Sequence, residues 1–90
     1  MGAHRYFGWA MASQAFRSMR PRELLRILES LGYRTVAQKG SHRKLEAPGR
    51  PRVILAFHPS VTIGPTVVRD ILVKQAGLSL AEAEEVVRRG

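Results

Sequence analysis

Between Pro21 and Leu31, the apolar residues Leu24, Leu25, Ile27, Leu28 and Leu31 fall on one stripe at helical spacing. Pro21 suits the first position of that helix, and Gly32 suits the left-handed residue that ends one. The pattern then changes from helical to extended. Tyr33–Gln38 and His42–Glu46 predict two strands, and Arg52–Phe57 predicts a third, the most apolar of the set. Ala47-Pro48-Gly49-Arg50-Pro51 supplies the loop between the last two. The apolar third strand belongs either in the middle of the sheet or where the helices pack most tightly. Tyr33, Phe57 and the leucines and isoleucine of the first helix are the expected core.

After the loop from His58 to Pro65, helical spacing returns at Thr66–Ala76. Val67, Ile71, Leu72 and Gln75-Ala76 share one face, with Val68 and Val73 at its margins. Gly77 ends this helix. Ser79-Leu80-Ala81-Glu82 has the form of a capping box and starts a last helix, Leu80–Arg88, with Leu80, Ala83, Val86 and Val87 facing inward. Three consecutive hairpin-linked strands make an antiparallel sheet. Helices before and after it can cover one face and leave the other to solvent or a partner. The class is α+β. The order matches the α-β-β-β-α plan of a double-stranded-RNA-binding domain, with a short C-terminal helix added.

Ninety residues allow one small domain. Met19 precedes the first clear helix, so residues 1–18 read as an N-terminal extension or an over-called start, and residues 19–90 as the single domain. Cysteine is absent, which removes disulfides, thiolate nucleophiles and zinc–thiolate sites. No apolar run approaches the roughly 20 residues that span a bilayer. The short apolar stretch Tyr6–Ala12, broken by Gly8, is a poor signal peptide. The cytoplasm is the expected compartment.

The net charge is +8, and it is concentrated. Residues 19–58 hold nine basic side chains against Glu23, Glu29 and Glu46, whereas residues 59–90 are balanced. A polyanion is the partner such a segment suits. Within it, Gly40-Ser41-His42 sits where the first strand must turn back into the second. Glycine and serine let the chain bend, and an imidazole follows, a side chain able to act as base or acid near neutral pH. Lys39, Arg43 and Lys44 flank it. Alternation puts Lys44 on the same face as His42 and Arg43 on the other. Arg50 and Arg52 bracket the next loop and extend the positive field. His58 ends the third strand, either as a second acid/base group or as a structural histidine. His4 and the aromatics Tyr6, Phe7 and Trp9 carry little weight. Two histidines with no Asp or Glu at ligand spacing do not make a metal site, and no cofactor is implied.

The ordered set of motifs resembles the HicA-type toxins, small RNA-cleaving partners of HicB-type antitoxins. Glu23–Tyr33 is similar to the leading helix of that family, with its closing glycine and aromatic. Gln38-Lys39-Gly40-Ser41-His42 is similar to the signature turn, whose histidine is the family's catalytic residue. Arg52–His58 and Leu72–Ser79 are similar to the third strand and the closing helix. The chain departs from the pattern at Lys44-Leu45, where a large aromatic is usual, and at Ser60-Val61-Thr62-Ile63, where a lysine is usual. The resemblance implies a ribonuclease acting on mRNA, and with no metal-ligand set in the sequence the expected cut is metal-independent. His42 would be its acid/base, Lys39, Ser41, Arg43, Lys44, Arg50 and Arg52 would contact RNA, and a HicB-like antitoxin would cover the site. The alternative from another class is a non-catalytic RNA-binding module, or a degenerate toxin, of the same fold.

Overall fold

The computed structural model describes residues 15–90. Among the described residues, three helices and a three-stranded antiparallel sheet make an α+β, double-stranded-RNA-binding-domain-like fold. Helix α1 spans Pro21–Ser30, with Pro21 at its first turn and Leu24, Ile27 and Leu28 buried. It stops because Gly32 takes φ 98°. There its amide donates to the Glu29 carbonyl at 3.0 Å, and the Tyr33 amide donates to the Leu28 carbonyl at 3.1 Å. Both orphan carbonyls are thereby met, in a Schellman closure that also delivers Tyr33 into the core. The Tyr33 hydroxyl keeps a partner, donating to the Pro51 carbonyl at 2.7 Å. Burial raises the pKa of that phenol, and the Arg50 charge opposes the rise.

Strands β1 (Arg34–Lys39), β2 (His42–Glu46) and β3 (Val53–Ala56) lie in the order β1-β2-β3. Leu45, Val53 and Leu55 form the buried side of the sheet, under the helices. The apolar third strand is therefore an edge strand, and β2 is the central one. Its apolar character reflects packing on the helices rather than a place in the middle. The outward Ile54 amide of β3 donates to Gln75 Oε1 at 2.9 Å. A side chain thus takes the role of a fourth strand at that position and blunts the edge. β1, the opposite edge, is exposed along its whole length, and an extra residue between Thr35 and Ala37 bulges it.

Helix α2 (Pro65–Asp70) runs on into a π-helical turn, Ile71–Gln75, closed by the Ala76 amide on the Ile71 carbonyl at 2.9 Å. Val68, Ile71, Leu72 and Ala76 are buried, while Val67 is 51% exposed. This corrects the predicted face. Both adjacent valines fit the helical period with Ile71. The core takes Val68, and the wider turn then carries Ala76 inward while Gln75 reaches β3. Helix α3 (Leu80–Arg89) buries Ala83, Val86 and Val87. Leu80, expected inside, is 49% exposed. The core also includes Phe16, within the stretch read from sequence as an extension. Met19 pairs with Ile63 through two backbone bonds of 3.0 and 2.8 Å. His4, Tyr6, Phe7 and Trp9 lie outside the described residues.

The capping box of α3 is complete. The Glu82 amide donates to Ser79 Oγ at 3.1 Å, and the Ser79 amide donates to Glu82 Oε1 at 2.9 Å. Those bonds, the backbone one first, hold the Glu82 carboxyl below its ordinary pKa. A lowered folded pKa means that the stabilisation is present above the unfolded carboxylate range and is lost as pH falls through the folded value. Ser79→Ala is expected to cost about 1 kcal/mol. For a domain of this size that is roughly 4–8 °C in Tm per kcal/mol, checked by thermal unfolding at neutral pH. An unchanged Tm would show that the cap contributes nothing to α3.

Candidate functional site

The turn between β1 and β2 has two residues, Gly40 and Ser41, between the paired Lys39 and His42. Gly40 takes φ 59°, the positive φ that a glycine-first hairpin turn requires. Ser41 is held from the far side, its carbonyl accepting from the Phe57 amide at 2.6 Å. The turn is thus fixed to both neighbouring strands, and His42 is the first residue of the central strand.

Directly paired residues of an antiparallel sheet present their side chains on the same face. His42 pairs with Lys39 on one side and Ala56 on the other, and Lys44 pairs with Ala37 and Ile54. These residues occupy the face that the helices leave open. His42 and Lys39 are exposed, and Lys44 is half-buried. Among the described residues, neither lysine forms an ion pair. An imidazole flanked by two unneutralised ammonium groups is an anion-seeking arrangement with a proton-transfer group at its centre.

The other basic candidates go elsewhere. Arg43 lies on the helix-covered side, paired with Leu55. Its guanidinium carbon sits 3.8 Å from the centre of the Phe57 ring, and its Nε is buried without a hydrogen-bond partner. Stacking of this kind stabilises the end of β2 rather than the open face. Arg52 reaches Glu46 at 3.5 Å, at the opposite end of the sheet from the turn, where Arg34 pairs with Glu46. Arg50 lines a cleft with Leu31, Leu78 and Glu82, beside α3. The structure therefore gathers Lys39, His42 and Lys44, and separates Arg43, Arg50 and Arg52 from them. Ser41 contributes its backbone to the turn.

His58 is exposed, two residues beyond Ala56, and its carbonyl accepts from the Val61 amide at 2.9 Å. It borders a cleft with Ala56, Val61, Ile63 and Val67. Nothing in the hydrophobic pattern marked that cleft, because its walls come from separate segments. Among the described residues no three His, Cys, Asp or Glu side chains gather as a metal site.

Residues 21–78 match the sequence profile of a family described as the HicA toxin of bacterial toxin–antitoxin systems. The chain belongs to the HicA toxin family. No curated protein and no solved structure matches it. The matched span runs from α1 through the residue before the cap of α3, and it contains the whole sheet, the turn and His42. Membership makes the chain a toxin of a toxin–antitoxin pair, with an antitoxin as its partner. No helix among the described residues is long and apolar enough to cross a membrane.

Proposed function

We propose that this HicA-family toxin is an endoribonuclease that cuts mRNA without a metal ion, with His42 as its catalytic acid or base. The observation that carries the reading is the placement of exposed His42 between Lys39 and Lys44 on the open sheet face. Cleavage of RNA needs no outside nucleophile. The ribose 2′-oxygen attacks phosphorus, the bond from phosphorus to the 5′-oxygen breaks, and a 2′,3′-cyclic phosphate and a 5′-hydroxyl result. One proton must leave the 2′-hydroxyl and one must reach the departing 5′-oxygen. His42 performs one of these transfers, and water or a neighbouring ammonium performs the other. Lys39 and Lys44 oppose the negative charge that grows on the phosphoryl oxygens.

A HicB-like antitoxin, acidic where it meets Lys39 and Lys44, would silence the toxin by covering this face. The setting would be the cytoplasm, where mRNA is found. The test is incubation of the purified chain with RNA in excess chelator, with affinity measured across salt. Cleavage that persists in chelator is expected, as is binding that weakens with salt. Lys44→Ala should reduce the log–log salt slope by about 0.7, the value for one phosphate contact on a single strand. Binding without cleavage would favour the non-catalytic module. Cleavage abolished by the chelator would reject the metal-free mechanism.

A further inference from the structure

Ala56 belongs to two features at once. It pairs with His42 across β2 and β3, and it forms one wall of the cleft beside them. That cleft has a volume of about 230 Å³, and its other walls include Pro21, His58, Val61, Ile63 and Val67. Val61 and Val67 are 55% and 51% exposed, so two branched apolar side chains face water next to a charged surface. The walls are fixed before any ligand arrives. Met19 and Ile63 exchange two backbone bonds, the Val61 amide closes a turn on the His58 carbonyl, and Arg20 reaches the Pro59 carbonyl at 3.5 Å.

We infer that this cleft is a base-binding subsite, holding the nucleobase next to the phosphate that lies against His42. The inference rests on the nuclease reading and adds where the substrate's apolar part goes. Size supports it: the volume is below the roughly 300–1,000 Å³ typical of sites for drug-sized ligands, and suits one planar ring system. The position supports it too. A base lies one ribose from its phosphate, and the cleft lies one strand from His42. Lys39 and Lys44 select an anion on the open face, which the cleft meets at Ala56, so a ligand that fills both must join a charged group to a flat apolar one at short range. A nucleotide has that form. The His58 imidazole supplies a plane on which a base stacks, and the valines supply apolar contact. Such contacts tolerate more than one base, so the subsite favours a ring without reading a sequence.

The test is cleavage of a short RNA in which a single abasic nucleotide is moved along the chain. For the wild type, an abasic residue at one position beside the cut is expected to lower kcat/KM about tenfold, the size of one stacking contact. Val67→Phe projects a ring into the cleft from an exposed helical position. It should lower cleavage of intact RNA about as much and lose the sensitivity to the abasic position. Val61→Ser, which removes apolar wall without adding bulk, should weaken the same position alone. Circular dichroism and thermal unfolding report that both variants fold.

Variants that cut like the wild type, with the same abasic profile, would overturn the inference. So would a flat profile in the wild type, which would leave the nuclease itself standing. If Val67→Phe impairs antitoxin binding while RNA cleavage is untouched, the cleft serves the protein partner and the base subsite is rejected. A wild type that never cuts RNA would remove the nuclease reading and the subsite together.

Discussion

His42→Ala is expected to lower the rate of RNA cleavage by about 10²–10⁴-fold, the range for removal of a general acid or base, while RNA binding is retained. The separation of the two readouts follows from where the parts sit. His42 is exposed, and its pairing with Lys39 and Ala56 uses the backbone, so alanine leaves the sheet intact. Lys39 and Lys44 remain on the open face to hold phosphate. Gel analysis of cleavage, with anisotropy of a labelled RNA at fixed salt, reads both. Equal cleavage by wild type and variant would put the chemistry elsewhere, and His58 would be the next candidate. If neither cuts while both bind, the chain is an RNA-binding member of a toxin family.

Local rules were enough for much of this fold. The leucine stripe of α1 and its glycine stop were legible because a helix and its cap involve only neighbouring residues. The same holds for the Gly40 turn and for the Ser79–Glu82 box. What the sequence hid depended on distant partners. The apolar run of β3 is compatible with a central strand or with an edge packed on helices. In the fold no further strand among the described residues follows β3, and Gln75 meets the outward Ile54 amide from 21 residues away. Val67 and Val68 fit one period equally well, and the fold buries Val68 while Val67 stays exposed.

Charge was legible as a total and not as a distribution. The basic excess between residues 19 and 58 divides once the strands pair. Lys39 and Lys44 stay with His42, Arg43 stacks on Phe57 behind the sheet, Arg52 turns to Glu46, and Arg50 faces α3. The positive segment thus leaves two lysines beside His42 on the open face and uses the other basic residues in packing or surface pairing. Alternation along β2 was the one sequence signal that separated Lys44 from Arg43, because a strand's two faces are fixed by its period.

Leu45→Ala is expected to lower activity by another route, destabilising the fold by about 2–5 kcal/mol. Leu45 is fully buried, paired with Val53, on the strand whose opposite face carries His42 and Lys44. Truncation leaves a cavity between the central strand and the helices, and close packing limits how far it can collapse. Small domains have only about 5–15 kcal/mol to lose, so a lower urea midpoint should follow, with a substantial unfolded fraction if the wild type lies at the low end of that range. Unlike His42→Ala, this variant should lose RNA binding and cleavage together. Antitoxin at about 100 times its dissociation constant should restore roughly 2.7 kcal/mol, because it binds only the folded chain. Recovery of the midpoint with antitoxin would show that the open face survives in whatever fraction is folded. A midpoint equal to that of the wild type would mean that β2 does not rest on the helices. Alternation along β2 would then no longer separate a buried face from the face that carries His42 and Lys44.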